Sequence, residues 1–152
     1  MRLRLLTAAT LAIPAIMTAS HASATCAVVG DSIAVGLRSY FRECRTDAKI
    51  GIGTKAVAAR VTGRADVIIV SAGSNDYSTP GLLGRLKALR ARARSARVIW
   101  ILPAPRSAAA AVEGVAHAHG DAVVAFAVSS TDREHIHPQS SKALAAEIRR
   151  HL

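Results

Sequence analysis

Five short apolar runs, separated by stretches with helical periodicity, constrain the fold of this chain more than any other feature. Each run is hydrophobic without alternation and rich in β-branched residues, the pattern of strands that are covered on both faces. The runs are residues 26–30, 48–50, 66–71, 97–102 and 122–128, and the helical patterns are residues 33–43, 54–61, 80–94, 106–119 and 138–151. This order predicts right-handed crossovers and an α/β fold with a five-stranded parallel sheet between two helical layers.

The composition of the chain fits one such domain. It has 152 residues, of which 51% are hydrophobic and 3% aromatic. A disordered or collagen-like chain is excluded, since either would have too little apolar side chain to bury. Many of the apolar residues are alanines, so we expect the core to depend on the aliphatic strands.

Residues 1–24 have the pattern of a cleaved secretory signal. Arg2 and Arg4 are followed by a short apolar run, and Ala22-Ser23-Ala24 has the small residues of a cleavage site. The run is too short and too interrupted for a transmembrane anchor. We therefore expect residues 25–152 to form the domain of a secreted or periplasmic protein without a stable membrane anchor. Removal of the two arginines lowers the formal charge from +10 to +8.

The segment 80–94 is basic as well as amphipathic. Leucines at 82, 83, 86 and 89 are expected on one face, and Arg85, Lys87, Arg90, Arg92 and Arg94 largely on the other. An anion-binding stripe is one interpretation, but no aromatic side chain is interleaved for base stacking. A solvated outer face is the preferred interpretation, and nucleic acid is not an expected partner.

The loops that follow the predicted strands carry the chemistry-bearing residues. They are residues 30–33, 51–54, 73–76 and 132–138, and together they contain a serine, glycines, an asparagine and histidines with carboxylates. Because the carboxyl ends of parallel strands meet at one edge of a sheet, these groups are expected to lie close together. They are the groups that acyl transfer requires.

These four blocks, in this order, resemble the SGNH, or GDSL-like, hydrolase superfamily. The matching residues are Gly30-Asp31-Ser32-Ile33, a glycine of Gly51-Ile52-Gly53, Gly73-Ser74-Asn75-Asp76 and a terminal acid-x-x-His-Pro. The resemblance covers essentially all of residues 25–152. It implies a flavodoxin-like α/β/α sandwich and serine esterase activity, with no cofactor.

The resemblance also assigns roles to individual residues. Ser32 becomes the nucleophile, and its N–H is one donor of the oxyanion hole. Asn75 would add its side-chain amide, and Gly51 or Gly53 a second backbone N–H. Gly51 is preferred because it follows the predicted strand directly.

The general base and its acid are less uniquely defined. Glu134, His137 and Pro138 fit the family pattern, which makes His137 the base and Glu134 its supporting acid. The family usually has Asp at the position of Glu134, so Asp132 is an alternative acid. A second register, Asp132 with His135, is also available. No pair of histidines has the spacing of a helical metal site, and no metal is expected.

Cys26 and Cys44 are expected to form a disulfide. A strand of about 5 residues and a returning helix of about 11 each span ~17 Å, which brings both cysteines to the same edge of the sheet. Export permits such a bond.

The short loops leave little chain to build a long acyl pocket. The sequence therefore predicts an exported esterase acting on a short acyl group, such as acetyl on a cell-envelope or extracellular glycan. A non-catalytic module that binds a glycan or an acyl group on the same scaffold is the alternative. The oligomeric state is left open by the sequence.

Overall fold

The structure, a computed structural model, describes residues 25–93, 97–128 and 137–152. Within these residues five strands alternate with five helices. The strands are β1 (Cys26–Gly30), β2 (Arg45–Ala48), β3 (Val67–Ser71), β4 (Arg97–Ile101) and β5 (Ala122–Val124), and the helices are α1 (Ser32–Leu37), α2 (Thr54–Arg60), α3 (Leu82–Arg92), α4 (Arg106–His119) and α5 (Ser141–Arg149).

The five strands form one parallel sheet in the order β2-β1-β3-β4-β5. This is the doubly wound, flavodoxin-like order, which confirms the expected three-layer α/β/α sandwich. The order reverses between β1 and β3, and such a point opens a crevice at the carboxyl ends of the strands. The loops after β1, β2 and β3 therefore surround one site.

The core lies on both faces of the central strands. On one face, Val57, Leu86 and Val112 of helices α2, α3 and α4 pack with residues such as Trp100. On the other face, α1 and α5 pack against alternate residues of the same strands. Because both faces of β3 are covered, all five of its residues are buried.

The second strand differs from the sequence prediction. It spans Arg45–Ala48, whereas the apolar run was read at residues 48–50. As an edge strand it is only partly buried and needs no continuous apolar run. Ile50, which suggested the strand, is 69% exposed.

Four helices are shorter than the sequence predicted, α2 by one residue. Helix α1 ends at Leu37 rather than at residue 43. Pro80 and Pro138 are the first residues of the helical patterns 80–94 and 138–151, but both precede the helices. Helix α3 begins after Gly81, and α5 begins after Ser140, whose hydroxyl accepts from Ala143 N. Pro138 instead forms an isolated antiparallel bridge with Val128, which lies in the segment after β5.

The prediction that the basic side chains of α3 lie on a solvated outer face is wrong for two of its arginines. Arg90 donates to both carboxylate oxygens of Asp121 at 2.6 and 2.8 Å, and Trp100 Nε1 donates to the same carboxylate at 3.0 Å. Arg85 pairs with Asp76 at 3.0 Å. Leu83, expected on the buried face, is 47% exposed. Part of the basic character of α3 therefore stabilises the fold.

Cys26 and Cys44 form the expected disulfide. The bond closes a segment that contains β1, the following turn and α1, so both ends of this β-α unit are fixed at the edge opposite Ser32. Among the described residues, no helix is long and apolar enough to span a membrane.

Candidate active site

Ser32 lies at the turn from β1 into α1. Gly30 ends the strand so close to β3 that a Cβ at this position would lie 2.5 Å from Ser71 O. Asp31 then caps the helix, because its Oδ1 accepts from Ile33 N at 3.1 Å. Ser32 is the first residue of the helix and is half-buried. Its Oγ makes no hydrogen bond to any other residue that the structure describes, so the hydroxyl is not committed to a structural role.

Asp31 is a buried carboxyl that sequence reasoning did not single out. It has no exposed surface, and its Oδ1 accepts from Ser71 Oγ at 2.7 Å. Its N–H also donates to Ser71 O at 3.3 Å. Asp31 thus joins the ends of β1 and β3 and fixes the turn that presents Ser32. In the sequence, the available signal was an acid directly after the glycine that ends an apolar run.

Burial raises the pKa of Asp31, because the charged carboxylate loses its water. Hydrogen bonds from Ser71 and Ile33 N, the nearby Ser74 hydroxyl and an electrostatic influence of His137 all act in the opposite direction. His137 is thus among the groups that act on the Asp31 carboxyl, which is next to Ser32 in the chain.

His137 is half-buried and reaches this edge through a short backbone pairing. Pro138 forms its bridge with Val128, and Gln139 N donates to Ala127 O at 2.8 Å. Ala127 and Val128, which follow β5, thereby hold residues 137–139 at the carboxyl edge of the sheet. Asp132, Glu134 and His135 lie outside the described residues.

Asn75 connects the loops that follow β2 and β3. Its Nδ2 donates to Ile52 O at 3.0 Å. The C=O and N–H of a trans peptide point in opposite directions, so the N–H of Gly53 points away from the Asn75 amide. These two donors therefore do not converge on one point in this conformation. The amide of Asn75 has a second N–H, which this bond leaves available.

The two candidate glycines have different surroundings. Gly51 is exposed in the left-handed region, with φ of +76°, and no atom lies within 4 Å of where its Cβ would be. Gly53 is half-buried and precedes α2, and a Cβ there would lie 3.2 Å from the Asp76 carboxylate. Gly51 permits the turn, whereas Gly53 permits the close approach of the loop after β3.

Asp76 fixes the position of the asparagine loop, and the sequence analysis did not find this role. Its carboxylate accepts from Thr54 N at 3.1 Å and from Thr54 Oγ1 at 2.8 Å, and it pairs with Arg85. Since Gly53 has no side chain to cap α2, Asp76 does so from another loop. An acid directly after Asn75 was the only local signal for this contact.

An open groove adjoins this loop. It has a volume of about 420 Å³ and is lined by Gly53, Lys55, Ala56, Ala59 and Asp76. A second cavity of about 280 Å³ lies between the segment after β5 and α5, where Phe126, Leu144 and Glu147 are among its lining residues. Neither cavity is enclosed.

The arrangement has the elements of an acyl-transfer site. A serine hydroxyl, a nearby imidazole and amide donors from two loops are gathered at one edge of the sheet. A serine hydroxyl and an imidazole can act as a nucleophile and a base. Among the described residues, no cluster of three His, Cys, Asp or Glu side chains could hold a metal ion.

No protein-family model and no curated protein sequence matches this chain. Solved structures do match it. A Bacteroides fragilis protein assigned as an acylhydrolase superimposes with a TM-score of 0.68 at 14% identity, over 86% of this chain and 87% of the other. The C-terminal catalytic domain of the Streptococcus pneumoniae peptidoglycan O-acetyltransferase A matches with a TM-score of 0.58 at 14% identity, over 84% and 92%. A Bacteroides uniformis protein assigned as a GDSL-like lipase matches with a TM-score of 0.61 at 13% identity, over 85% and 95%. This chain therefore has the SGNH, or GDSL-like, fold.

Proposed function

We propose that this protein is an exported serine esterase that hydrolyses short-acyl esters through an acyl-enzyme. The observation that carries the proposal is the position of Ser32 at the carboxyl end of β1, beside the switch point of the sheet, where the loops after β2 and β3 meet through the bond from Asn75 to Ile52 O. A nucleophile and a base at the switch point of a doubly wound sheet occupy the position where such folds bind ligands. The acylhydrolases and acyltransferases among the structural neighbours agree with this class of chemistry.

In the proposed reaction, Ser32 Oγ forms a bond to the ester carbonyl carbon while its proton moves to His137. The tetrahedral intermediate then collapses, the C–O bond to the alcohol breaks, and His137 returns the proton to the leaving oxygen. Water attacks the acyl-enzyme by the same two steps and releases the acid. Glu134 orients the imidazole, with Asp132 as the alternative acid and His135 as the alternative base.

Stabilisation of the oxyanion is assigned to three donors. Ser32 N–H and the Asn75 amide are two of them, and one such donor is worth about 3 kcal/mol of barrier lowering. Gly51 or Gly53 provides the third. Gly53 can join Asn75 only if the Ile52–Gly53 peptide turns or Asn75 exchanges its bond to Ile52 O for one to the substrate.

A short acyl group, such as acetyl on a cell-envelope or extracellular glycan, is the proposed substrate. The two cavities are open, and the groove beside Gly53 is floored by alanine methyls rather than by large apolar side chains. A long acyl chain would leave most of its apolar surface in water there. Transfer of the acyl group to a second hydroxyl would use the same acyl-enzyme.

Export is part of the proposal. The disulfide between Cys26 and Cys44 is of the kind that persists in oxidising compartments. Cleavage after Ala24 would leave Thr25 as the first residue of the secreted protein. Sequencing the N-terminus of the protein recovered outside the cytoplasm tests this directly.

The activity is tested with a fluorophosphonate probe and a series of p-nitrophenyl esters. The proposal predicts that the probe labels Ser32, that Ser32→Ala abolishes labelling, and that acetate is turned over faster than octanoate. A folded protein that is neither labelled nor active on any ester would instead support the non-catalytic binding module. Circular dichroism of Ser32→Ala, whose hydroxyl makes no structural hydrogen bond among the described residues, controls for loss of fold.

A further inference from the structure

The open groove along α2 begins at the proposed site. Gly53 and Asp76 line its inner end, and Ala56 and Ala59, one helical turn apart, form its floor. Asp76 directly follows Asn75 in the chain. A substrate whose ester carbonyl reached Asn75 would therefore extend its alcohol portion along this groove.

The charges at the groove are unequally committed. Asp76 is neutralised by Arg85, whose guanidinium also donates to the backbone oxygens of Thr79 and Pro80. Both side chains are thus held by contacts within the protein. Lys55 lines the groove and is exposed, and it makes no ion pair within residues 25–93, 97–128 and 137–152.

Unpaired lysines are a general feature of the described surface. All five ion pairs described there are made by arginines, at positions 60, 85, 90, 149 and 150. Lys49 and Lys55, both exposed, are the two cations on the segment that carries Gly51 and Gly53. Of the two, Lys55 lines the groove, and with Asp76 paired to Arg85 its charge there is not compensated by another acid of the groove lining.

We propose that this groove binds the sugar chain of an acylated acidic polysaccharide, with Lys55 contacting its carboxylates inside the groove and Lys49 contacting them from the exposed segment before Gly51. The inference rests on the proposed function, and it specifies the substrate class as an ester of a polyanionic glycan. A shallow floor of methyl groups suits the apolar face of a sugar ring. Tyr77, adjacent to Asp76, is half exposed and adds an aromatic surface at the same edge.

An anionic membrane is the competing partner for such a surface. Membrane-binding surfaces combine basic residues with a contiguous apolar face. The large exposed apolar side chains described here are distributed over α3, the edge strand β5 and several loops. Only Ile50 and Tyr77 lie on the segments that carry Lys49 and Asp76, and two separate side chains do not make a contiguous apolar face. The groove itself contributes only alanine methyls. These features favour the glycan.

The test compares two double variants with the same loss of charge. Lys49→Gln with Lys55→Gln, the groove variant, removes the lysine that lines the groove and the lysine on the segment before it. Lys87→Gln with Arg92→Gln removes two exposed cations of the neighbouring α3 that make no ion pair among the described residues. Affinity for an oligogalacturonate and for a neutral xylo-oligosaccharide is measured in the Ser32→Ala background, and binding to phosphatidylglycerol vesicles is measured in parallel.

We expect oligogalacturonate to bind better than the neutral sugar. The groove variant should weaken this binding about tenfold and the α3 variant less than about twofold, since each exposed charge contact is worth at most a few-fold. Raising the salt concentration should reduce the difference. Equal binding of the two sugars, equal loss in the two variants, or groove-dependent binding of vesicles alone would overturn the proposal.

Hydrolysis of p-nitrophenyl acetate separates this inference from the proposed function. Both double variants should retain it, because that substrate has no anionic chain to contact the lysines. If the unmodified protein fails to hydrolyse the ester but binds oligogalacturonate through the groove lysines, the esterase proposal fails and the glycan site stands. If the unmodified protein hydrolyses the ester but does not bind oligogalacturonate through these lysines, only the proposed glycan site is overturned.

Discussion

Opening the disulfide between Cys26 and Cys44 should destabilise this protein by about 3 kcal/mol. The two residues are 18 apart in the chain. For a loop of that length the chain-entropy relation gives a loss of roughly 11 cal/mol/K in the unfolded state, which is about 3 kcal/mol at 25 °C. The closed segment contains β1, the Asp31 cap and Ser32, so its stability bears on the site as well as on the fold.

The assay is equilibrium unfolding in guanidinium chloride, followed by circular dichroism, of the oxidised and the reduced protein. Reduction keeps both sulfur atoms, so the difference isolates the cross-link. The variant Cys26→Ala with Cys44→Ala is the second arm, and because Cys44 is 7% exposed, loss of its buried sulfur should add to the effect. The midpoint temperature should fall by roughly 10 °C in the reduced form.

The reasoning would be refuted by a difference of less than about 1 kcal/mol between the oxidised and reduced forms. That result would mean that the ends of the first β-α unit remain close in the unfolded chain without the bond. A difference confined to the alanine variant would assign the stabilisation to packing of the sulfur atoms. In the expected case, the unfolding slope should also be smaller for the oxidised protein, because its unfolded chain exposes less surface.

Three further changes test the site and the packing around it. Asn75→Ala should lower kcat for p-nitrophenyl acetate by about 10²- to 10³-fold. The free energy of unfolding should change by less than about 1 kcal/mol, since the side chain is exposed and makes one hydrogen bond. A kcat within tenfold of that of the unmodified protein would contradict this prediction. Burial raises the pKa of Asp31, so the stability that its protonated form contributes is present below pH 3.8, the unfolded-state value, and is lost as pH rises through the higher folded-state pKa. The free energy of unfolding of Asp31→Asn should therefore increase relative to that of the unmodified protein as pH rises over this range. Stability curves of the two proteins that run parallel with pH would argue against it. Asp121→Ala should lower the free energy of unfolding by about 3–5 kcal/mol, because it leaves Arg90 and Trp100 without their acceptor. Glu147→Ala breaks an exposed ion pair and should lower it by less than about 1 kcal/mol. Thermal unfolding of the two variants measures this difference.

The sequence predicted the central strands because β1, β3 and β4 are buried on both faces, which requires continuous apolar runs. The same logic failed at β2, where an edge position allows the polar Arg45–Ala48, and at β5, which is shorter than its apolar run. Edge strands carry a weaker sequence signal, since fewer of their side chains must leave water.

The sequence by itself determined the fold class, the cysteine pair and the order of the loops that carry Ser32, Asn75 and His137. Those features follow from local patterns and from the rule that parallel strands end at one edge. Only the tertiary structure decided that Asp31 bonds Ser71 across 40 residues, that Asp76 caps α2 and neutralises Arg85, and that Lys55 is left unpaired beside a groove. These contacts depend on distances between loops far apart in the chain, and hydrophobic periodicity carries no information about them.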